Sequence, residues 1–174
     1  MRKTLFRMLG FALLVLAADQ ALKLVVVVYL DLAQRGRLDV LPPFLNLRMA
    51  WNRGVNFGLF ASDSQTARWL LVALAISISA GLAVWLHRAT GWVTPLCAGA
   101  VIGGALGNAL DRVIYGAVAD FLNMSCCGWD NPFSFNIADI AIFAGVLGLV
   151  LLPDRAVNAG KATDSARDPP ERLG

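Results

Sequence analysis

Four apolar segments divide this chain, and each has about the length that a helix needs to cross a lipid bilayer. The pattern predicts membrane-spanning helices over approximately 8–30, 68–87, 92–114 and 134–152. A spanning helix needs about 20 apolar residues. The basic start before the first segment is also typical of a cleaved signal peptide. Because the apolar run resumes after Lys23, we interpret this segment as a retained first span.

The segment between the first and second spans, residues 31–66, predicts a small strand and loop. Leu45, Leu47, Met49 and Trp51 alternate with other residues, as in a half-buried β-strand. Asparagines and glycines follow over residues 51–58 and predict an ordered turn. The expected fold class is therefore an all-α membrane protein with four transmembrane helices and a small extracytoplasmic strand and loop cradle between helices 1 and 2.

Composition agrees with a membrane protein and excludes several functions. Hydrophobic residues make up 57% of the chain and charged residues 16%, with a mean hydropathy of +0.63. The net charge is only +3 and the basic residues are scattered, so we expect no nucleic-acid partner. The chain has three cysteines without metal-ligand spacing and one histidine, His87. We therefore expect no metal site, no cofactor and no histidine-activated nucleophile.

The basic residues predict the orientation in the membrane. With four spans, both termini lie on one side, which carries the larger basic set: Arg2, Lys3, Arg7, Arg88, Arg155, Lys161, Arg167 and Arg172. The positive-inside rule makes that side cytoplasmic. The opposite loop carries a smaller set: Arg35, Arg37, Arg48 and Arg53. We expect one membrane domain over 1–153, with segment 31–66 outside, and a disordered cytoplasmic tail over 154–174.

Charged and polar residues inside the spans are candidates for function, because their insertion is costly. Asp19 and Lys23 are four residues apart and share a helix face, as a neutralising pair or as part of a site. Asn108, Asp111 and Arg112 share a face near the end of the third span. They could tie the helices together, or Arg112 could hold a peptide carbonyl.

Two aspartates, Asp120 and Asp139, lie where one apolar segment ends and the next begins. On adjacent antiparallel spans they would meet at the same membrane face. Asn136 and Asp139 also have the spacing of a helix capping box, which is a local explanation for Asp139. Two close carboxylates share a proton, so that one can activate water while the other protonates a carbonyl. A proton- or cation-translocating protein is the alternative.

Five motifs carry a resemblance to a known family. They are Asp19-Gln20-x-x-Lys23, Trp51-Asn52-x-Gly54-x-x-Phe57-Gly58, Gly103-Gly104-x-x-Gly107-Asn108-x-x-Asp111-Arg112, Val118-x-Asp120-Phe121 and Phe135-Asn136-x-Ala138-Asp139. In order and spacing they resemble the lipoprotein signal peptidases, or signal peptidase II. The resemblance implies a multi-pass aspartic endopeptidase of the bacterial inner membrane, with its active site toward the periplasmic face.

The resemblance also implies the substrates and the site residues. Members of this family cut prolipoproteins just before the lipid-modified cysteine of the lipobox. The residues that match Asp120 and Asp139 are their catalytic pair. Other matching residues shape the site or the substrate groove: Asp19, Lys23, Asn52, Gly54, Asn108, Arg112, Asn136 and Ala138. We expect a monomer whose partners are prolipoproteins with lipobox signal peptides and the membrane lipids.

Overall fold

The computed structural model describes residues 2–54, 64–89, 91–126, 128 and 130–152. Its elements follow in chain order: α1 (Arg2–Leu24) with a π-helical continuation (Val25–Tyr29), α2 (Leu32–Arg35), β1 (Arg37–Leu41), β2 (Leu45–Asn52), α3 (Ser64–Leu86), α4 (Val93–Tyr115), β3 (Val118–Met124) and α5 (Ile137–Leu151). The predicted tail 154–174 and the later part of the predicted turn, residues 55–58, lie outside the described residues.

Three of the described helices are long and apolar enough to cross a membrane: Arg2–Tyr29, Gln65–Leu86 and Val93–Tyr115. The prediction of a mostly helical protein with candidate spans and a small sheet is confirmed. The fourth predicted segment, 134–152, forms the shorter α5 of 15 residues. It is shorter because Phe135 bridges to Leu122 of β3, and Asn136 caps the helix instead of continuing it.

Helix α4 is the centre of the bundle, with 67% of its most apolar stretch buried, against 22% and 17% in the other two candidate spans. Its glycines allow this position. A Cβ atom added to Gly99 would lie 2.5 Å from the carbonyl oxygen of Met8 in α1, and one added to Gly104 would lie 2.5 Å from that of Ala138 in α5. The absence of side chains at these positions therefore lets the backbones of α1 and α5 approach α4 closely.

The sheet has three antiparallel strands in the order β1, β2, β3. The alternating pattern predicted β2, but β3 was not predicted, and it follows α4. The predicted segment between helices 1 and 2 therefore supplies two of the three strands, and the third strand comes from a later part of the chain. On one face of the sheet, Leu47 and Phe121 pack against Val26, in the π-helical continuation of α1, and against Leu32 in α2. This packing holds β3 against the helices.

The expected alternation along β2 is wrong at Asn46, which is only 1% exposed. Asn46 pairs with Asn123 of β3, so their side chains share one face of the sheet. The Asn123 amide nitrogen donates to the carbonyl oxygens of Asn131 and Phe133, each at 2.8 Å. The segment before α5 therefore covers the polar face of β2, which a half-buried strand would leave exposed.

Candidate active site

Asp120 lies in β3 with 3% of its surface exposed and accepts hydrogen bonds at both carboxylate oxygens. The Asn136 side-chain nitrogen donates to Oδ1 at 2.7 Å, and that of Asn52 donates to Oδ2 at 3.1 Å. Asn52 can reach because it pairs with Val118, two residues before Asp120, which places both side chains on one face of the sheet. The register of β2 against β3 thus orients the Asp120 carboxylate.

Asp139 occupies the first turn of α5 and completes the predicted capping box. Its backbone nitrogen donates to Asn136 Oδ1 at 2.9 Å, and its Oδ2 accepts from the Asn136 backbone nitrogen at 3.2 Å. Its Oδ1 accepts a further hydrogen bond, at 2.8 Å, from the side-chain nitrogen of Asn108 in α4. Capping is confirmed, and it is not the whole role of this carboxylate, because one oxygen is bound by another helix.

Asn136 joins the two aspartates and is fully buried. Its side-chain nitrogen contacts Asp120, while its side-chain oxygen accepts from the backbone of Asp139. The same nitrogen lies 3.1 Å from Asn108 Oδ1. One buried asparagine therefore links Asp120 in β3 to Asp139 in α5, and the two predicted acids belong to one hydrogen-bonded network.

The pKa of Asp120 is raised to about 6, first by burial of the carboxylate and then by the negative charge of Asp139. Hydrogen bonds from Asn52 and Asn136 and the charge of Lys23 act in the opposite direction on this pKa. Asp120 can therefore hold a proton at a pH where an ordinary aspartate is ionised.

A buried cluster of three charged side chains, Asp19, Lys23 and Asp111, contacts this network. Lys23 Nζ lies 2.7 Å from Asp19 Oδ2 and 2.7 Å from Asp111 Oδ2, and the three side chains are almost fully buried. The predicted pairing of Asp19 with Lys23 is confirmed. Lys23 also donates to Asn108 Oδ1 at 3.3 Å, which links the cluster to the asparagine that contacts Asp139.

Each carboxylate of this cluster holds the backbone just before one of the two candidate acids. Asp111 Oδ2 accepts from the Ala119 nitrogen at 3.1 Å, and Asp19 Oδ1 accepts from the Ala138 nitrogen at 3.0 Å. Ala119 precedes Asp120 and Ala138 precedes Asp139. The cluster therefore positions both acids through their main chains, and Ala138 belongs to the site by its backbone.

The predicted site set omitted Asp111, although the sequence placed it on the face of Asn108. It also omitted Gln20, whose side-chain nitrogen donates to Asp111 Oδ1 at 2.9 Å. The shared helix face was the available signal for Asp111. The contact of Asp111 with the Ala119 backbone had no such signal, because it depends on the turn after α4 and on the pairing of β3.

Arg112 and Gly54 lie together at the edge of the network. Arg112 donates from Nη1 to the Asn108 carbonyl oxygen at 3.2 Å, while its buried Nε has no hydrogen-bond partner among the described residues. Gly54 has a φ of +78°, and its nitrogen donates to Asn52 Oδ1 at 2.8 Å. A Cβ atom there would lie 3.5 Å from Arg112 Nη2 and 2.5 Å from Leu71. The backbone turn and the close approach both favour glycine.

A cavity of about 390 Å³ opens beside Asp120. Its walls come from β2, β3 and the segment before α5: Ala50, Trp51, Asn52, Arg53, Asp120, Pro132, Phe133 and Ser134. The Asp120 carboxylate is therefore buried in the fold and still reachable from a groove beside the sheet. A buried, proton-holding carboxyl next to a second carboxylate and an open cavity is suited to acid and base catalysis.

A family model described as Signal peptidase (SPase) II matches residues 11–153. The chain belongs to the signal peptidase II family. This confirms the resemblance carried by the five motifs, and it makes the chain an aspartic-type peptidase. Membership does not favour the alternative of a proton- or cation-translocating protein.

Relatives named lipoprotein signal peptidase are similar over nearly the whole chain. That of Methylobacterium radiotolerans is 43% identical over 165 residues, which cover 92% of this chain and 93% of the relative. That of Methylorubrum extorquens is 44% identical over 166 residues, with coverages of 94% and 95%. The chain therefore matches these signal peptidase II relatives over almost their full length.

Two solved structures described as bacterial membrane enzymes share the fold. One is 28% identical, with a TM-score of 0.67 and coverage of 84% of this chain and 93% of its own. The other is 24% identical, with a TM-score of 0.67 and coverages of 96% and 94%. The helices and sheet of this signal peptidase II family member thus have counterparts in solved membrane enzymes.

Proposed function

We propose that this peptidase removes the signal peptides of diacylglyceryl-modified bacterial prolipoproteins and cuts just before the lipid-modified cysteine. The names of the relatives support the substrate class. The observation that carries the chemistry is the contact of one buried asparagine, Asn136, with both Asp120 and Asp139. This contact places two carboxylates in one site beside an open cavity.

Asp120 and Asp139 form the catalytic pair in this proposal. Asp139 carries the negative charge and removes a proton from water, whose oxygen attacks the carbonyl carbon of the scissile peptide bond. Asp120, which holds a proton because it is buried beside that charge, protonates the carbonyl oxygen. When the carbon–nitrogen bond breaks, Asp139 gives its proton to the leaving amine. Asp120 recovers a proton from the hydroxyl group that becomes the product carboxyl.

The remaining predicted residues position these two acids or the substrate. Asn52 and Asn136 orient Asp120, and Asn108 orients Asp139. Asp19 and Lys23 hold the main chain at Ala138 through the buried cluster. On the substrate side, Arg112 binds a peptide carbonyl with its guanidinium group, and Gly54 leaves room beside the guanidinium.

We further propose a monomer with four spans in the bacterial inner membrane, forming one domain over 1–153. Helix α5 is the fourth span, and its exposed Phe143 and Val150 face lipid. The basic residues at the start of α1 favour cytoplasmic termini, with the 154–174 tail on the same side. Segment 31–66 and the catalytic pair then face the periplasm, where the lipobox of a translocated prolipoprotein arrives.

The substrate proposal predicts that the lipid on the cysteine is required. Purified protein without added metal should cleave a diacylglyceryl-modified prolipoprotein at a kcat/KM at least about 100-fold above that of the unmodified precursor. The acyl chains hold the cysteine at the bilayer surface, with about 0.8 kcal/mol for each buried CH₂ group. Gel analysis of both substrates in the same micelles measures the ratio. Equal cleavage of the two forms, or cleavage of neither, would contradict the proposal.

Replacement of Asn52 by alanine is expected to move the alkaline limb of the pH profile to higher pH. The Asn52 hydrogen bond stabilises the Asp120 carboxylate, so its loss raises a pKa that is already about 6. Activity that requires protonated Asp120 then persists to a pH roughly one unit higher. The limb is measured in kcat/KM, which reports the free enzyme.

Ser134→Ala is the matched control for this shift. Ser134 lines the same cavity, but its hydroxyl donates to the Arg48 carbonyl oxygen at 2.9 Å instead of to an aspartate. Its alkaline limb should coincide with that of the parent protein. An unmoved limb in Asn52→Ala, or a limb at lower pH, would show that Asp120 is not the group that holds the catalytic proton.

A further inference from the structure

The amino-terminal end of α1 and the start of α4 enclose an open groove of about 650 Å³, at the end of α1 away from the catalytic pair. Its walls are mostly apolar and include Phe6, Phe11, Leu14 and Leu96. Phe6 is 79% exposed and Leu14 is 61% exposed, so this surface has little cover within the described part of the chain. The groove therefore offers a binding surface that the peptidase chemistry does not use.

Three cations form one rim of the groove: Arg2, Lys3 and Arg7. Each residue that lines the groove lies in the described ranges, and none of them is acidic. Within about a Debye length the three positive charges act together on any anion at the rim. The groove thus combines an apolar trough with a positive end that no residue of its lining neutralises.

Arg7 is held in place for such a role. Its Nη1 donates to the Gly91 carbonyl oxygen at 2.9 Å, and its guanidinium carbon lies 3.5 Å from the ring centre of Trp92. The Thr4 hydroxyl donates to the Ala89 carbonyl oxygen at 2.9 Å, one turn earlier on α1. These bonds fix the basic end of α1 against the start of α4, so the Arg7 guanidinium is in place before any ligand binds.

We propose that this groove binds one anionic glycerophospholipid of the surrounding leaflet. Its phosphate lies between Arg2, Lys3 and Arg7, and its acyl chains follow the apolar wall. The charge of the rim selects this occupant. A signal-peptide helix has a basic amino-terminal region, which the rim would repel, and a second copy of this chain would oppose like charges. A zwitterionic lipid fits the apolar wall, but its headgroup interacts less favourably with the three cations of the rim.

A second apolar cavity, of about 500 Å³, shares Phe11, Leu14 and Leu96 with the groove. It continues between α1, α4 and α5 as far as Ile137, the first residue of α5. In the proposed complex, acyl chains that enter from the basic rim extend along the shared wall into this second cavity. The bound lipid then fills the space between the three helices that carry the buried charged cluster and Asp139.

Native mass spectrometry of the full chain in neutral detergent tests the headgroup. With phosphatidylglycerol and phosphatidylcholine of identical chains, we expect one phosphatidylglycerol to be retained preferentially. The double variant Arg2→Gln and Lys3→Gln should lower that preference on the order of tenfold. The double variant Arg35→Gln and Arg48→Gln, which removes the same charge from the far end of the molecule, should retain it. Equal retention of the two lipids, or equal loss in both double variants, would overturn the proposal.

A second pair of variants tests the acyl path with every cation kept. Gly10 lines the groove, and a Cβ atom added there meets no atom within 4 Å, so Gly10→Leu fills the groove without disturbing the helices. Gly81 of α3 is equally open and gives the matched control Gly81→Leu. Loss of the retained phosphatidylglycerol in Gly10→Leu alone supports the site. Retention in Gly10→Leu, with thermal unfolding unchanged, would place the lipid elsewhere.

Discussion

Replacement of either Asp120 or Asp139 by asparagine is expected to lower kcat/KM for prolipoprotein cleavage by about 10² to 10⁴ or more, without unfolding the protein. An asparagine at position 120 could still accept the hydrogen bond that reaches Asp120 at 2.7 Å, but it cannot donate an acidic proton to a carbonyl oxygen. An asparagine at position 139 could still cap α5, but it cannot take a proton from water. The loss should therefore appear in the chemical step.

The cleavage of a diacylglyceryl-modified prolipoprotein measures this loss, and thermal unfolding in detergent verifies that each variant is folded. Asp130→Asn is the matched control, because the Asp130 carboxylate is largely exposed and contacts only Arg37 among the described residues, at 3.4 Å. It should cleave at the rate of the parent protein. If a folded variant at 120 or 139 also cleaves at that rate, the aspartate it lacks has no part in the reaction.

Replacement of Lys23 by methionine is expected to lower the free energy of unfolding by about 3 to 5 kcal/mol. Methionine has a similar length, but the change leaves Asp19 and Asp111 buried without the ammonium group that lies 2.7 Å from each. An unpaired buried charge costs more than the pair contributes. For a domain of this size, the melting temperature should fall by roughly 10 °C.

Lys3→Met provides the comparison for this effect. Lys3 lies on the same helix and is exposed, so its loss in neutral detergent should change the melting temperature by no more than about a degree. Both variants are measured by thermal unfolding at one detergent concentration. Similar melting temperatures for Lys23→Met and the parent protein would mean that the two carboxylates do not depend on Lys23 for their charge balance.

Features that depend on neighbours along the chain were predictable from the sequence. Asp19 and Lys23 pair because they are four residues apart on a helix, and Asn136 and Asp139 form a capping box because three residues separate them. The apolar segments predicted the long helices for the same reason, since length and hydropathy are local properties. The alternation of apolar residues over 45–51 likewise predicted β2.

Features that depend on tertiary packing were not predictable. Asp111 meets Lys23 across two helices that are far apart in the chain, and it meets Ala119 because α4 ends at Tyr115 and the chain turns at Gly116 into β3. Strand β3 lies between two apolar segments and was not predicted, because its residues form a strand only when they pair with β2. Asn46 is buried because the segment before α5 folds over it. The alternation of residues along β2 contains no information about that later segment.

The bond between Asp19 and the backbone of Ala138 joins residues 119 positions apart, near the two ends of the folded domain. Its consequence concerns biosynthesis. A chain that is still emerging from the ribosome can insert α1 and α4 and contain Asp120, yet it lacks both Asn136 and Asp139. If Asp120 and Asp139 are the catalytic pair, as proposed, we expect hydrolytic activity only after the last helix has inserted, and nascent or truncated chains should be inactive.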